Sequence, residues 1–129
     1  MSKRELLLYS PLAHKVSHRL EEAVASVVPQ QATEIVHTPE GLARRLRRPH
    51  NGLEVAVIMA ATPKELRELL PLSQMLEGLR IILVLPDAEP QTLSQGHSLR
   101  PRYLTLMGSD FQDVAAVLSK IRGRSLSFF

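Results

Sequence analysis

The sequence contains no cysteine, which excludes disulfides, thiolate catalysis, cysteine-ligated zinc and iron–sulfur clusters. It also has no apolar run close to the roughly 18 residues that a transmembrane helix requires. Its first residues lead into a run of strand length and do not form a signal-peptide core. We therefore expect a soluble, cytoplasmic protein with no membrane partner.

Glycine-rich phosphate loops are absent as well. No Gly-x-Gly-x-x-Gly or Walker motif follows any run of strand length, and the first predicted strand–helix turn, residues 10–13, has no glycine. A loop that cradles phosphate needs free backbone N–H groups, which such motifs supply. We expect no nucleotide, flavin or other cofactor.

The length of 129 residues fits one domain, and the composition of 44% hydrophobic and 22% charged residues is that of an ordinary globular protein. The net charge of +3 permits an acidic partner but falls short of a nucleic-acid-binding composition. We expect one domain over residues 1–123 and a tail over residues 124–129. The tail follows an expected helix break at Gly123 and ends in Phe128 and Phe129. Docking on the domain, disorder, and insertion into a partner or a second subunit all stay open for it.

Five apolar runs of strand length alternate with helix-like segments. The runs cover residues 5–10, 33–37, 53–60, 80–85 and 102–107. The third and fourth runs are continuously apolar, as in parallel strands that are covered on both faces. The first and fifth helical segments, residues 11–28 and 110–121, carry apolar stripes at spacings of three and four. The fourth, residues 88–99, contains proline, glycine and many polar residues, so we expect a short or irregular, more mobile helix.

The junctions between strands and helices carry capping signals. Ser10-Pro11, Thr38-Pro39 and Thr62-Pro63 each place a side-chain oxygen before a proline that suits the first helical position. Glu65 and Gln112 predict capping boxes with Thr62 and Ser109. Strand–helix alternation with right-handed crossovers predicts a doubly wound α/β domain with a five-stranded parallel sheet in the order 2-1-3-4-5.

Over residues 5–122, this pattern resembles the receiver domain of bacterial response regulators. Residues 53–63 are similar to the family's third strand and the loop after it, with Met59 at the phosphoacceptor position and Pro63 at the loop proline. Residues 103–106 are similar to the fifth strand, with Tyr103 at the position of the switch aromatic and Leu106 in place of a lysine. The resemblance implies a flavodoxin-like (βα)5 fold.

The other site positions implied by the resemblance are also changed. Tyr9, Ser10 and Pro11 occupy the region of the acidic pair that holds magnesium, and Pro86 stands where a serine or threonine would sense the phosphoryl group. Phosphoryl transfer to such a site needs a carboxylate nucleophile, further carboxylates for the cation and a lysine for the developing charge. The resemblance therefore implies a degenerate receiver domain that is not an enzyme and holds no metal.

Two aspartates and one serine invite a catalytic interpretation. Asp87 and Asp110 are the only acids expected at the carboxyl edge of the sheet, and they follow strands that we expect to be neighbours. We prefer helix-start roles for both, because aspartate there complements the helix dipole. Ser10 lacks the Gly-x-Ser-x-Gly elbow of a nucleophile and is better explained as a cap.

Histidines and arginines form two further patterns. His14 and His18 lie four apart on the predicted first helix, but no third metal ligand is evident, so we expect solvated side chains. An arginine cluster lies near the end of the second helix. Its members are Arg44, Arg45, Arg47 and Arg48. It is explained first by solubility and the helix dipole, and it has no interleaved aromatics to stack on bases.

The prediction for function is a non-phosphorylatable signalling domain that binds a protein, either a regulator or a kinase, in a bacterial two-component pathway. The family's usual partner and dimer face implies a surface formed here by four residues, and a homodimer stays open. These residues are Tyr103, Asp110, Gln112 and Asp113. One alternative is an enzyme or small-ligand binder with a pocket lined by Ser10, Met59, Thr62 and Asp87. The other is nucleic-acid binding through the arginine cluster, with affinity that falls steeply with salt.

Overall fold

The computed structural model describes residues 4–12, 14–50 and 52–126, with side chains up to residue 123. Five strands alternate with five α-helices, and 3₁₀ turns lie at Gln30–Ala32 and Leu70–Leu72. The elements are β1 (Leu6–Tyr9), α1 (Val16–Ala25), β2 (Thr33–Val36), α2 (Pro39–Leu46), β3 (Val55–Met59), α3 (Pro63–Leu69), β4 (Arg80–Leu85), α4 (Pro90–His97), β5 (Tyr103–Leu106) and α5 (Gln112–Leu126).

The five strands form one parallel sheet in the order β2-β1-β3-β4-β5, which confirms the predicted doubly wound fold. In the central register, Leu8 of β1 lies opposite Ile35 of β2 and Val57 of β3. Because all strands run the same way, their last residues meet at one side of the sheet, the carboxyl edge. Their first residues meet at the opposite side, the amino edge. The helices return antiparallel to the strands, so helices begin at the carboxyl edge and end at the amino edge.

Two hydrophobic layers cover the sheet. Successive side chains of each strand point to opposite faces, so every strand contributes residues to both layers. Leu6, Leu8 and Val57 pack with α1 and α5 on one face. Leu7 and Ile58 pack with α2, α3 and α4 on the other face. The continuously apolar runs in the sequence are therefore two interleaved sets of core residues, as expected for a parallel sheet with helices on both sides.

Two of the three predicted helix caps form. Thr38 Oγ1 accepts the N–H of Gly41 at 2.9 Å, and Thr62 Oγ1 accepts the N–H of Glu65 at 3.1 Å, each before a proline in the first helical turn. The Glu65 carboxylate reaches back to the N–H of Ala61 at 2.8 Å, one residue before the cap. Each cap contributes about 1 kcal/mol to stability.

The prediction of a cap at Ser10 is wrong, and α1 starts later than expected. Ser10 is fully buried, and its hydroxyl donates to Glu21 Oε2 at 2.8 Å, so it does not cap the helix. The helix begins at Val16, whose N–H is accepted by Nδ1 of His14 at 3.2 Å. His14 therefore lies before α1, and the expected shared helical face of His14 and His18 does not exist.

The last two helices also differ from expectation. The predicted box between Ser109 and Gln112 does not form, because Ser109 Oγ accepts the N–H of Phe111 and donates to Asp113. The backbone of α5 continues through Gly123 to Leu126, so the expected break at Gly123 is wrong. Phe128 and Phe129 lie outside the described residues. The segment with Pro90 and Gly96 forms a short but regular helix, α4, with proline in its first turn.

Every helix among the described residues is too short or too polar to cross a bilayer.

Gly96 is the point of closest approach between α4 and the sheet. A Cβ built there would lie 2.9 and 3.1 Å from the two Cδ atoms of Leu85 and 3.3 Å from Cδ2 of Leu83, all in the core. We expect Gly96→Val to lower the free energy of unfolding by about 1–3 kcal/mol, because overpacking forces the helix away from β4.

The matched control is Gly123→Val, which places the same side chain in a helix where a Cβ meets nothing within 4 Å. We expect it to change stability by less than about 0.5 kcal/mol. Urea unfolding of both variants measures the difference. Equal stability of the two would contradict the close packing of α4 on β4.

Candidate functional site

The carboxyl edge is closed at its centre by apolar side chains. Met59 ends β3 with its side chain completely buried in the layer beneath α1 and α5, and Ala60 after it is also buried. Ser10 follows β1 and is equally enclosed. Since Ser10 and Met59 have no exposed surface, they cannot line the open pocket that the ligand-binding alternative requires.

A hydrogen bond between Tyr9 and Glu65 joins the end of β1 to the first turn of α3. The Tyr9 side chain is fully buried, and its hydroxyl donates to Glu65 Oε2 at 2.5 Å. The second carboxylate oxygen of Glu65 accepts the N–H of Ala61. This carboxylate is therefore held from two sides at the crevice between β1 and β3, where doubly wound folds place their ligands.

Burial first, and then the Glu65 carboxylate, raise the pKa of the Tyr9 hydroxyl above its usual range. Both causes act in the same direction, because they disfavour the phenolate in an apolar and negatively charged environment. Glu68 and Glu40 add to the negative field. Tyr9 is thus a permanent hydrogen-bond donor at physiological pH.

Ser10 and His37 connect the ends of β1 and β2. Nδ1 of His37 lies 2.8 Å from the carbonyl oxygen of Ser10, while the Ser10 hydroxyl donates to Glu21. The serine hydroxyl therefore contacts a carboxylate and not the imidazole, so the serine–histidine contact of an activated nucleophile is not formed. Within residues 4–12, 14–50 and 52–126, no three histidine, aspartate or glutamate side chains come together in a way that could hold a metal ion.

The two aspartates expected at this edge have local roles. Asp87 Oδ1 accepts the N–H of Glu89, and Asp110 Oδ1 accepts the N–H of Gln112, both at 3.0 Å. Each carboxylate thus binds the backbone two residues on, just before or at the start of a helix. Asp87 borders a groove of about 490 Å³ between the first turns of α3 and α4, which Arg67 and Glu89 also line.

The fifth strand and fifth helix are joined by Tyr103 and Asp113. The Tyr103 hydroxyl donates to Asp113 Oδ2 at 2.9 Å, and Ser109 Oγ donates to Asp113 Oδ1 at 2.9 Å. The hydrogen bond from Tyr103 to Asp113 is the larger cause that raises the pKa of Tyr103, and burial is the smaller one. Burial alone would raise the pKa of Asp113, but the hydrogen bonds from Thr105, Tyr103, Ser109 and the N–H of Val114 together lower it.

The remaining predicted site residues fall into separate places. Pro86 and Leu106 are half-buried at the ends of β4 and β5, and Asp110 and Gln112 are exposed at the start of α5. Arg45 is removed from the expected basic patch because it is buried, with Nε 2.8 Å from Glu34 Oε1 and Nη1 3.2 Å from the carbonyl of Pro49. Its three neighbours in the cluster, Arg44, Arg47 and Arg48, are exposed.

The sequence prediction missed two acids at the carboxyl edge. Only Asp87 and Asp110 were expected there, whereas the structure adds Glu65 next to Tyr9 and Glu21 next to Ser10. The capping pattern identified Glu65 as a helix-start residue. Its contact with Tyr9, 56 positions away, leaves no local signal in the sequence.

Several solved structures share this architecture. The chain aligns with the response regulator RcsB of Salmonella typhimurium, studied for its conformational dynamism in DNA interaction, at 13% identity and a TM-score of 0.66 over 96% of its length. It spans 62% of the RcsB chain. With the receiver domain of the response regulator NarL from Mycobacterium tuberculosis the identity is 13% and the TM-score 0.63, with 95% of this chain and 99% of the other covered.

A third match is the phosphorylated cyanobacterial phytochrome response regulator RcpA, at 10% identity and a TM-score of 0.66, with 98% and 96% of the two chains covered. The chain has the receiver fold. A pilus assembly-related protein from Burkholderia pseudomallei shares it at 18% identity and a TM-score of 0.62, over 92% of this chain and 91% of the other. No protein-family model and no curated protein sequence matches the chain.

The two tyrosines of the chain give a direct test of these contacts. A raised folded-state pKa means that the stabilisation is complete below the unfolded value of about 10 and is lost as the pH rises through the folded value. We expect neither phenol to ionise near pH 10, and Tyr9 to ionise only as the protein unfolds in alkali. Phenolate absorbance measured together with circular dichroism against pH checks this.

Tyr9→Phe and Tyr103→Phe leave one chromophore each, so each titration is assigned without ambiguity. Asp113→Asn is the control for Tyr103, because removal of the carboxylate should lower the pKa of this tyrosine towards 10. Ionisation of Tyr9 near pH 10 in a folded protein would contradict the buried contact with Glu65.

Proposed function

We propose that this chain is a receiver-fold signalling domain that is not phosphorylated, catalyses no reaction and acts by binding a protein in a bacterial, cytoplasmic two-component pathway. The observation that carries the proposal is the complete burial of Met59 at the end of β3, the position of the phosphoacceptor in the resemblance to receiver domains. A thioether has no carboxylate oxygen that could attack phosphorus, and the burial of Met59 leaves no room for an acyl phosphate.

The neighbouring positions support the same proposal. A magnesium site requires several oxygen ligands that converge on one point. The β1 end offers the Tyr9 hydroxyl and the Ser10 hydroxyl, but both donate their protons to glutamates within the protein. At the end of β5, the half-buried Leu106 supplies no cation to neutralise transferred phosphate.

A protein partner is proposed to bind the surface formed by α4, β5 and the start of α5. Strand β5 is an edge strand, and all four of its residues are partly exposed. Asp110 and Gln112 are exposed beside it, and the Tyr103–Asp113 hydrogen bond holds the strand and the helix together. An edge strand with partly exposed side chains next to a fixed helix offers both backbone and side-chain contacts to another protein.

Beryllofluoride with magnesium tests the loss of phosphorylation, because it mimics an acyl phosphate on an aspartate. We expect the amide NMR spectrum of this chain to stay unchanged when both are added. The control is magnesium alone, which reports any binding of the cation without the mimic. Shifts confined to residues near Ser10 and Met59 would overturn the proposal.

The binding surface is tested by affinity capture from a nuclease-treated bacterial lysate. The double variant Asp110→Arg, Gln112→Arg should capture at least tenfold less of a regulator or kinase, because it places two large cations on the surface at the start of α5. The charge-matched control is Glu40→Arg, Gln30→Arg, two exposed positions away from it. Equal capture by both variants would exclude this surface as the partner site.

A further inference from the structure

The two edges of the sheet carry opposite charge. Acidic side chains predominate where helices begin, at the carboxyl edge. They are Glu21, Glu40, Glu65, Asp87, Glu89, Asp110 and Asp113. Basic side chains predominate among the described residues of the amino edge. They are Arg4, Arg44, Arg45, Arg47, Arg48, Arg80, Arg100, Arg102, Lys120 and Arg122.

Internal ion pairs account for only part of the basic amino edge. Arg45 pairs with Glu34, Arg80 lies 3.9 Å from Glu54, and Arg122 pairs with Glu5. No described carboxylate forms an ion pair with the other arginines of this edge, which are exposed. They are Arg4, Arg44, Arg47, Arg48, Arg100 and Arg102.

Helix dipoles explain some of these positions but not all. Arg44, Arg47 and Arg48 lie at the end of α2, where a cation is favoured by the dipole. Arg4 and Arg102 lie just before β1 and β5 and not in the last turn of a helix, so helix-end preference does not explain them. A backbone hydrogen bond fixes the position of Arg102, because its N–H donates to the carbonyl of Ile81 in β4 at 2.7 Å.

Arg100 occupies a backbone conformation that suits glycine better. Its φ of 55° lies in the left-handed region, just after the end of α4, where glycine or asparagine usually stands. A side chain with a Cβ is disfavoured in this conformation, because the Cβ lies too close to the following carbonyl oxygen. The exposed arginine is therefore present at some expense to stability.

We propose that the amino edge binds the phosphate backbone of duplex nucleic acid without reading its sequence. Five strands about 4.8 Å apart give the edge a width on the order of 20 Å, which matches the breadth of a duplex. Six guanidinium groups of this edge form no ion pair with a described carboxylate, and of these Arg4 Nη1 donates to the carbonyl of Thr33 at 2.6 Å. Guanidinium groups suit phosphates, which arginine binds in a bidentate manner.

The aromatic residues favour a duplex over single strands. Tyr9 and Phe111 are buried, and Tyr103 is partly buried against the hydrophobic core. Among the described residues, no tyrosine or phenylalanine ring is thus fully exposed for stacking on an unpaired base, which is how single-strand binders gain affinity. Contacts between arginine side chains and the phosphate backbone of the nucleic acid remain, and these give affinity without sequence preference. This surface adjoins the proposed protein-binding surface at Arg100 and Arg102, between α4 and β5, whereas Arg44, Arg47 and Arg48 lie at the end of α2. Substitutions at the end of α2 therefore test the nucleic-acid proposal separately from the protein-binding proposal.

Fluorescence anisotropy of the full chain with two unrelated DNA duplexes, each about two helical turns long, tests the proposal. We expect equal affinity for both duplexes, and a fall of about 10³-fold between about 50 mM and 200 mM salt if six phosphates are contacted. Absence of binding at the lower salt concentration, or a strong preference for one sequence, would overturn the proposal.

Charge reversal locates the surface. The triple variant Arg47→Glu, Arg48→Glu, Arg102→Glu should bind far more weakly, with the salt-dependent fall reduced to about 40-fold for the three contacts that remain. The control with the same change in net charge reverses three exposed cations near the carboxyl edge. It is Lys15→Glu, Lys64→Glu, Arg67→Glu. Equal weakening by both triples would show that net charge, and not the amino edge, is responsible.

Two further measurements separate the remaining explanations. Arg100→Asn should raise the unfolding midpoint, because asparagine tolerates the left-handed conformation, and should still weaken DNA binding by one phosphate contact. A more stable variant with unchanged DNA affinity would remove Arg100 from the surface. Binding to phosphatidylserine vesicles that excess duplex does not displace would assign the edge to membranes and overturn the nucleic-acid proposal.

Discussion

The buried hydroxyl of Tyr9 is the constraint on which the carboxyl edge depends. A phenol that is completely buried must find a hydrogen-bond partner, because an unsatisfied polar group in the core costs about 1–3 kcal/mol. Glu65 supplies that partner from the first turn of α3, and the same carboxylate accepts the N–H of Ala61 in the loop after β3. One side chain therefore ties β1, the β3–α3 loop and α3 together, at the place where related folds keep an open crevice.

The architecture was predictable because its signals are local and repeated. Thr38 and Thr62, each followed by proline, mark helix starts by their own chemistry, and the apolar runs of β3 and β4 mark strands covered on both faces. Contacts between distant segments were not predictable in this way. Ser10 has the same local pattern as the two threonines, but burial beside Glu21 turns its hydroxyl away from the helix. Arg45 differs from its neighbours only because Glu34 of β2 lies beneath it.

The separation of charge between the two edges follows from topology as much as from composition. In a sheet with parallel strands and antiparallel returning helices, every helix start lies at one edge and every helix end at the other. Residues that favour helix starts, such as Glu40 and Asp110, are therefore collected at the carboxyl edge, and those that favour helix ends at the amino edge. A net charge of +3 conceals this arrangement, because opposite charges at the two edges largely cancel in the sum.

The contacts at the carboxyl edge also constrain how such a domain could be regulated. A ligand or modification shifts a conformational equilibrium only by its differential affinity for two states. Here the hydroxyl of Tyr103 is bound to Asp113, whose carboxylate also accepts from Ser109, and the hydroxyl of Tyr9 is bound to Glu65. Release of either tyrosine would leave a partly buried carboxylate with fewer hydrogen-bond donors. A second conformation in which Tyr9 or Tyr103 moves away from its partner is therefore disfavoured. Under the proposed function, control would accordingly lie in the amount of the protein or in its competing partners, and not in a switch within the domain.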